Sequence, residues 1–395
     1  MTALPITHAT LTTALGAGLA AHLDALEAGR TALRPCDFED VQLPGWIGVA
    51  NGLETPLLPK ALREQDSRNN RLAWLGLQQD GFADAVHAAR SRWGAHRVAV
   101  LLGTSTSGIL ETERAFRRRD AQGQLPADFR YEQTHSTASL ANFVRGALAL
   151  EGPCWVVSTA CSSSAKVFGD AARLIQAGWV DAAVVGGVDS LCLTTLYGFN
   201  SLQLFSPEIC RPWDAGRSGV SLGEGAAYAL LQREPVTGEA PLGLLLGVGE
   251  SNDGYHMSTP LPDGAGAIAA MQQALAQAGL QASQIDYVNL HGTATHNNDA
   301  AEDHAVGAVF GHQLACSSTK GATGHTLGAA GGVEAVISLL ALRHGLVPGG
   351  LNQREQDPAL KLHYVTASRR APLRHVLSNS FGFGGSNASL VMGAA

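Results

Sequence analysis

The sequence predicts an α/β fold from three of its features. Short apolar runs that end in glycine- or serine-rich loops alternate with longer stretches whose apolar residues recur at helical spacing. The chain of 395 residues is 45% hydrophobic and 15% charged, which suits a large buried core. Its 46 glycines suit tight turns and closely packed layers.

The elements of the first half follow in order from these patterns. Leucines at helical spacing predict a helix between Thr12 and Gly29, where the glycine provides a stop. The stretch from Leu33 to Pro59 is rich in proline and glycine and predicts an irregular segment. The other predicted helices cover residues 69–90, 140–150 and 164–178, and the strands cover residues 97–103, 154–158, 182–186 and 226–231. Because these strands are short and apolar, they indicate a buried parallel sheet.

The second half repeats this alternation. Its predicted strands cover residues 242–248, 285–290, 314–318, 376–379 and 388–392, and its helices cover residues 265–278, 299–310 and 327–343. The segment from Pro235 to Pro241 is the best join between the halves. Because the halves share an element order more than a residue pattern, the sequence only suggests a duplication.

The composition also bears on partners and location. A formal net charge of −7 gives no broad basic surface, so nucleic acid is not expected as a partner. The first residues do not read as a signal peptide, and no apolar stretch approaches the ~18 residues of a membrane span. None of the six cysteines forms a Cys-x-x-Cys pair, which indicates free thiols. We therefore expect a cytoplasmic protein.

Cys161 is the first residue suited to chemistry. It lies in Ser-Thr-Ala-Cys-Ser-Ser-Ser, directly after a predicted strand and at the start of a predicted helix. The N–H groups and dipole of a helix N-terminus favour a thiolate, so this position is expected to lower the cysteine pKa. The alternative is a buried structural cysteine.

Two further clusters contain histidines. His291 ends a predicted strand in Asn-Leu-His-Gly-Thr-Ala-Thr, where its ring could project into a cleft. Lys320 and His325 lie on a glycine-rich turn, and Glu334 follows in a helix rich in glycine and alanine. A buried carboxylate at Glu334 needs a partner, and Lys320 or a histidine is the obvious one. The alternatives are an ordinary turn histidine and a surface lysine on a solvated helix.

A fourth cluster, residues 378–387, contains Phe-Gly-Phe-Gly-Gly between two predicted strands. Such a loop makes backbone N–H groups available to an oxyanion. A metal site built from the cysteines and histidines is not expected, because no two such ligands share a short loop.

These motifs resemble those of the elongating β-ketoacyl-[acyl carrier protein] synthases. The family's Cys-His-His site is matched by Cys161 in Thr-Ala-Cys-Ser-Ser-Ser, His291 in His-Gly-Thr-Ala-Thr and His325 in Thr-Lys-Gly-Ala-Thr-Gly-His. Further matches are Arg211-Pro-Trp-Asp, Gly223-Glu-Gly-Ala and Ser380-Phe-Gly-Phe-Gly-Gly. Their order and spacing hold from about residue 97 to the C-terminus.

The resemblance implies the thiolase fold, with two similar halves in five layers, α-β-α-β-α. Residues 1–238 would form the half with the nucleophilic cysteine, and residues 239–395 the half with the two catalytic histidines. It also implies acyl carrier protein as a partner, and a dimer that is either a homodimer or a heterodimer with a related ketosynthase-like chain.

The resemblance assigns roles to the main site residues. Cys161 takes the acyl chain as a thioester, and His291 and His325 polarise the thioester carbonyl of the malonyl extender. Loss of carbon dioxide then gives an enolate that attacks the acyl group. Backbone N–H groups of Cys161 and Phe383 would form the oxyanion hole, with Phe383 also acting as a gate. No metal and no cofactor are implied, since both substrates arrive on phosphopantetheine.

Other residues receive supporting roles by family position or by charge. Lys320 and Glu334 would hold the histidines. The residues expected to contact substrate are Thr293, Thr295, Phe199, Thr106 and Ile109. The densest basic cluster, expected to dock the acidic carrier protein, is Arg114, Arg117, Arg118 and Arg119.

The sequence departs from the family in three places. The usual opening strand is missing or degenerate before Thr12, Ser218 stands where Asp is common, and His296-Asn-Asn-Asp stands where a Gly-Asp pair is usual. The run from Asp189 to Asn200 is similar to condensing enzymes of aryl polyene pigment pathways. Two alternatives remain: a chain-length partner subunit, which would have lost the cysteine, and a thiolase-type acyl-CoA enzyme, which would carry a second cysteine near the C-terminus.

Overall fold

The computed structural model describes residues 1–54 and 58–395, and ten principal strands organise it. The first five are β1 (Leu4–Thr13), β2 (Val98–Gly103), β3 (Cys154–Val157), β4 (Ala182–Asp189) and β5 (Gly225–Gln232). The second five are β6 (Gly243–Asn252), β7 (Tyr287–Asn289), β8 (Cys316–Ser317), β9 (His375–Gly382) and β10 (Ser386–Gly393).

The two sets of strands have the same topology. The first has the order β3-β2-β4-β5-β1, and the second has the order β8-β7-β9-β10-β6. In each set the first three strands are parallel and the last two pairings are antiparallel. Strands β1 and β6 pair at Leu4–Ile6, which joins the sets edge to edge. The sets divide between Gln232 and Gly243, and the predicted boundary after residue 238 lies in that interval.

The helices form three layers around these strands. They are α1 (Leu19–Glu27), α2 (Arg68–Leu77), α3 (Phe82–Trp93), α4 (Ile109–Arg117), α5 (Ala138–Ala147), α6 (Ser163–Gln176), α7 (Leu193–Ser201), α8 (Ala265–Ala278), α9 (His296–Phe310), α10 (Lys320–Thr323) and α11 (Ala330–His344). Helices α6 and α11 contact each other and strands of both sets, so they form the central layer. Helices α2, α3 and α5 cover the first set, and α8 and α9 cover the second. The result is the five-layer arrangement that the resemblance implied.

Short elements connect these layers. The short 3-10 helices are Lys60–Gln65, Ala95–Arg97, Ala282–Gln284, Leu327–Ala329 and Phe383–Gly385, and Tyr131–His135 is a π-helical turn. The short strands are Gly16–Ala17, Arg34–Pro35, Trp46–Gly48, Leu222–Gly223, Leu346–Val347 and Arg369–Arg370.

The prediction for the N-terminal segment is wrong in two respects. The opening strand is present as β1, which lies in the middle of the sheet between β5 and β6, and helix α1 begins only at Leu19. Because this strand is rich in threonine, it does not form the continuous apolar run that predicted the other strands, although β-branched residues such as threonine favour strands. Two of its hydroxyls have close partners inside the protein: Thr10 donates to Asp80 at 2.8 Å and Thr13 contacts His22 at 2.8 Å.

The helix predicted over residues 69–90 is in fact two helices. Helix α2 ends at Leu77 and α3 begins at Phe82. Asp80 and Gly81 between them have φ angles of 54° and 67°, which continue neither helix. An Asp-Gly pair favours such a turn. The Asp80 carboxylate is held there because it accepts the N–H of Leu19 at 3.1 Å.

The central helix also bears on the membrane prediction. In the part of the chain that the structure describes, the 18 helical residues Leu327–His344 are long and apolar enough to cross a membrane by length and composition, although charged side chains interrupt the apolar run. However, 89% of that window is buried inside the protein, as expected for the core helix of a layered fold.

Candidate active site

Cys161 lies on a sharp turn between β3 and α6. The preceding residue, Ala160, has a left-handed φ of 51°, and α6 begins two residues after the cysteine at Ser163. The Cys161 side chain is buried, with 5% of its surface exposed. The turn therefore presents the sulfur at the carboxyl end of a strand, where α/β sheets commonly place their sites.

His325 contacts this sulfur directly. Its Nε2 lies 3.0 Å from Cys161 Sγ. Its other ring nitrogen, Nδ1, accepts the backbone N–H of Leu327 at 3.1 Å. Because Nδ1 accepts, the neutral ring carries its proton on Nε2, so that the N–H points at the reacting centre.

His291 presents a second nitrogen to the same centre. Its ring centroid is 5.4 Å from that of His325, and the two planes are nearly perpendicular. Lys320 Nζ lies 3.4 Å from His291 Nδ1 and also donates to the His291 carbonyl oxygen. The ammonium makes Nδ1 an acceptor, so the His291 proton also resides on Nε2.

Lys320 and Glu334 form a buried ion pair, which decides between the two partners, Lys320 or a histidine, that the sequence offered for Glu334. Both side chains are almost completely buried, and the ammonium contacts Glu334 Oε1. Burial raises the pKa of Glu334 to about 7, and Lys320 opposes this rise. The pair therefore links α11 to the His291 turn and gives Lys320 a fixed position.

Glu302 is a site-supporting residue that the sequence analysis missed. Its two carboxylate oxygens accept the backbone N–H groups of His291 and Gly292, each at 2.8 Å, and Asn379 donates to it at 3.2 Å. Burial raises the pKa of Glu302 to about 7. The sequence signal that could have identified Glu302 is its position as an acidic residue among the alanines of α9, eleven positions after His291.

Burial dominates the protonation of the reacting groups. It raises the pKa of Cys161 to about 11, against the opposing effects of Lys320 and of a backbone hydrogen bond with Phe383. The expected lowering of this pKa by the helix N-terminus is therefore wrong for the free site, because desolvation of the anion outweighs it. Burial, together with the charge of Lys320, lowers the pKa of both His291 and His325 well below the ordinary histidine value.

The glycine-rich loop brings backbone N–H groups to the cysteine. Phe383 makes a backbone hydrogen bond with the Cys161 thiol. A Cβ at Gly382 would lie 2.6 Å from the Thr159 carbonyl oxygen, so only glycine permits this approach. The Phe383 ring stacks on Phe199 at a centroid distance of 5.5 Å. The loop thus places a backbone donor and an aromatic ring at the entrance to the sulfur.

A cavity of about 350 Å³ opens onto these residues. Thr293 and Thr295 line it, and their hydroxyls lie 2.9 Å apart. Phe199 lines it as well, whereas Thr106 and Ile109 are not among the described residues that do. Thr106 instead donates its hydroxyl to a buried Asp189 oxygen at 2.6 Å, and Ile109, at the start of α4, packs in the apolar cluster that also includes Phe199.

The four arginines proposed for docking are largely occupied by their own chain. Arg114 pairs with Glu39, Arg117 with Asp40 at 3.1 Å, Arg118 with Asp128 at 3.1 Å, and Arg119 stacks over Phe116 at 5.1 Å. The sequence shows that positive charges are concentrated in this segment. It does not show that the fold brings the carboxylates of residues 39–40 into contact with them. The cluster is therefore not the open basic patch that was expected.

The site also has a geometry that metal ions can use. Among the described residues, the ligand atoms of Cys161, His291 and His325 lie within 4.8 Å of one another. The sequence argument against such a cluster was wrong, because the fold brings together ligands that are distant along the chain. Lys320, whose ammonium touches His291, places a positive charge beside the cluster and so disfavours a cation there.

Comparison with known proteins gives consistent family matches. The N-terminal domain of the beta-ketoacyl synthases matches residues 68–236, and their C-terminal domain matches residues 242–354. Nodulation protein E of Rhizobium meliloti (strain 1021) is 33% identical over 92% of each chain. The mitochondrial 3-oxoacyl-[acyl-carrier-protein] synthase of Arabidopsis thaliana is 42% identical over 61% of this chain, but the match spans only 56% of that protein.

Among solved structures, the ketosynthase ApeO in complex with its chain length factor ApeC, from Xenorhabdus doucetiae, is similar to this chain. It superposes with a TM-score of 0.90 at 38% identity, covering 99% of this chain and 98% of that one. The five-layer architecture described above is accordingly the thiolase fold. The two family models match residues 68–236 and 242–354, which contain Cys161, His291 and His325, and the chain therefore belongs to the β-ketoacyl synthase family.

Proposed function

We propose that the chain is a 3-oxoacyl-[acyl carrier protein] synthase, an acyltransferase that extends an acyl chain by decarboxylative Claisen condensation. The observation that carries the proposal is the convergence of the Cys161 sulfur with one ring nitrogen each of His291 and His325 at one cavity. A soft nucleophile, two neutral hydrogen-bond donors and a backbone oxyanion site are what this reaction requires.

The first step loads the enzyme. The Cys161 sulfur attacks the carbonyl carbon of an acyl thioester, and the thiol of the phosphopantetheine arm leaves with the proton that the cysteine loses. Because burial holds the pKa of Cys161 at about 11, the resting residue is a thiol, and attack requires the proton to leave as the substrate enters. The backbone N–H groups of Cys161 and Phe383 would stabilise the tetrahedral oxyanion.

The second step forms the carbon–carbon bond. The Nε2–H groups of His291 and His325 donate to the carbonyl oxygen of the malonyl thioester, carbon dioxide leaves, and the electron pair of the broken bond forms an enolate. The enolate carbon attacks the acyl carbonyl on Cys161, and the sulfur leaves as a thiolate that takes up a proton from the solvent. The products are a 3-oxoacyl thioester, carbon dioxide and free enzyme.

The chemistry needs no resident cofactor, and we propose that none is bound. Both substrates would arrive on the phosphopantetheine arm of acyl carrier protein, and Thr293 and Thr295 at the cavity wall are suited to its amides. We propose a cytoplasmic location because carrier-bound substrates are made there. We propose an aryl polyene or other polyketide pathway because the run from Asp189 to Asn200 resembles such condensing enzymes, and the similar ketosynthase ApeO is in complex with a chain length factor.

We further propose a dimer with a second ketosynthase-like chain. Strand β3 is at the edge of the sheet and pairs, among the described strands, only with β2. Its Trp155 is 37% exposed, and an unpaired edge that shows an aromatic side chain can accept another strand. The complex of ApeO with its chain length factor supports a heterodimer. Native mass spectrometry after co-expression with the candidate partner would distinguish this assembly from a homodimer.

The alternatives have weaker support. A chain-length partner subunit would have no use for a buried cysteine in contact with His325. A thiolase would need a second cysteine at the site, but Phe381, Gly382 and Phe383 occupy the position beside Cys161 and His291.

Mass spectrometry tests the proposed function directly. Incubation with a panel of acyl carrier proteins should add an acyl mass to the peptide that contains Cys161, and addition of malonyl carrier protein should then release a 3-oxoacyl product. The matched control is Cys36→Ala, which removes a half-buried thiol elsewhere and should load normally. Loading of any other cysteine, or none in a folded protein, would contradict the proposal.

A further inference from the structure

A lysine that the mechanism does not use links the nucleophile's helix to the glycine-rich loop. Lys166 lies on α6, the helix that follows Cys161, and its Nζ donates to Ser386 Oγ at 2.7 Å. Ser386 is the first residue of β10 and follows the loop of residues 382–385 directly. Lys166 is half-buried, and among the residues that the structure describes it makes no ion pair within 4 Å.

The other hydrogen bonds of this loop come from a different direction. Gly385 accepts the N–H of Asp253 at 2.9 Å, and Gly384 donates to the carbonyl of Met257 at 2.8 Å. The Asn252 side chain donates to Gly384 at 3.2 Å. These three partners follow one another at the end of β6 and just after it. Besides the hydrogen bond between the Phe383 backbone and the Cys161 thiol, the contact of Lys166 with Ser386 is, within the described chain, the side-chain hydrogen bond that connects the end of the loop to helix α6.

This arrangement matters because the two donors of the oxyanion site sit on the two linked elements. Cys161 stands at the N-terminus of α6, and Phe383 stands on the loop. A tetrahedral oxyanion is stabilised only if both N–H groups are held about 3 Å from it, and a small displacement of one donor removes much of the effect. A charged hydrogen bond is among the stronger means of holding two such elements together.

We propose that Lys166 is a positioning residue for acyl transfer and condensation. Through Ser386, it holds the Phe383 N–H at the distance from Cys161 that the oxyanion requires. The inference rests on the proposed function and adds a residue to it. Lys166 does not touch the reacting atoms, and it has no role in decarboxylation, because His291 and His325 are held by Lys320, Glu302 and Leu327 instead.

Four variants test this role: Lys166→Met, Ser386→Ala, the double variant, and Lys166→Arg. Removing the bond from either side should lower kcat for condensation about 10-fold, less than the 10²–10³-fold expected for complete loss of a donor. The KM for the acyl substrate and the rate of malonyl decarboxylation should stay within about twofold, since binding and enolate formation use other groups. The double variant should be no slower than either single variant, and Lys166→Arg should recover most of the rate.

Three kinetic results would overturn the inference. They are a Lys166→Met variant with the wild-type kcat, losses that multiply in the double variant, and a parallel fall in decarboxylation that marks general damage. Amide hydrogen exchange of residues 382–386 provides a readout independent of turnover. Exchange there should accelerate in Lys166→Met and in Ser386→Ala but not in Lys166→Arg. If the wild-type chain does not condense acyl groups at all, the proposed function fails, while unchanged exchange would refute the positioning role by itself.

Discussion

The Nε2 atom of His325 lies 3.0 Å from the sulfur of Cys161, although 164 residues separate them in the sequence. The contact joins the two halves of the fold, since the cysteine precedes α6 and the histidine precedes α11. Because α6 and α11 pack against each other in the central layer, they fix this distance without a covalent link. The contact places a neutral N–H donor beside the nucleophile, and the first two predictions follow from it.

Replacing Cys161 should separate the two half-reactions. Cys161→Ala should lower condensation about 10⁴-fold or more, because the covalent intermediate can no longer form. Malonyl decarboxylation should continue at a similar order of magnitude, since both histidines remain. Release of labelled carbon dioxide and product analysis by mass spectrometry measure the two rates, with Cys36→Ala as the control. Loss of both activities in a folded Cys161→Ala protein would contradict this division of roles.

Replacing either histidine should remove most of the malonyl decarboxylase activity that Cys161→Ala retains. His291→Ala and His325→Ala each remove one Nε2–H donor to the enolate oxygen, so each should lower decarboxylation about 10²–10³-fold. His344→Ala, at the end of α11, is a suitable control because that side chain is remote from the cavity. Full decarboxylase activity in His325→Ala would be incompatible with the role assigned to it.

Both histidines should stay neutral under mildly acidic conditions. Burial and Lys320 lower the pKa of each well below the ordinary value of 6.5. Imidazole ¹⁵N shifts, assigned with the two alanine variants, should therefore report the neutral Nε2–H tautomer at pH 6.5, where an ordinary histidine is half protonated. Since the unfolded chain protonates more readily, these groups favour the fold above pH 6.5 and lose that contribution as the pH falls. A transition centred near 6.5 would refute the prediction.

Glu302→Gln should loosen the His291 turn. The amide can accept only one of the two backbone N–H groups, so unfolding free energy should fall by about 1–3 kcal/mol at pH 5. The pKa of Glu302 is raised from 4.5 to about 7, so its contribution is complete below 4.5 and is lost as the pH rises through 7. The loss of unfolding free energy caused by Glu302→Gln should therefore be smaller at pH 8 than at pH 5. Urea unfolding at both pH values measures it, with the exposed Glu151→Gln as control. A penalty that grows with pH would contradict the raised pKa.

Neutralising the arginine cluster should have little effect on carrier binding. Arg117→Gln with Arg118→Gln removes two charges that Asp40 and Asp128 already offset. Exposed pairs of this kind contribute roughly 0–1 kcal/mol, so the affinity for acyl carrier protein should change less than about threefold. Titrations at low and high salt provide the measurement. A tenfold loss that disappears at high salt would restore the cluster as the docking surface.

Some features of this protein were determined by the sequence alone. The α/β class follows from the alternation of short apolar strands with helices. The turns that carry Cys161, His291 and His325 could be located because each is a contiguous run of glycine and small polar residues after a strand. Such local signals are readable because the residues that determine the backbone are neighbours in the chain.

Other features were decided only by the tertiary structure. The threonine-rich β1 becomes a central strand because β5 and β6 satisfy its backbone on both sides, and Glu302 supports His291 because α9 packs behind that turn. The Cys161 pKa rises because the surrounding layers exclude water. The positive charges of the arginines are offset by carboxylates of residues 39, 40 and 128. Each outcome depends on burial and on partners far away in the sequence, and these exist only once the layers have packed.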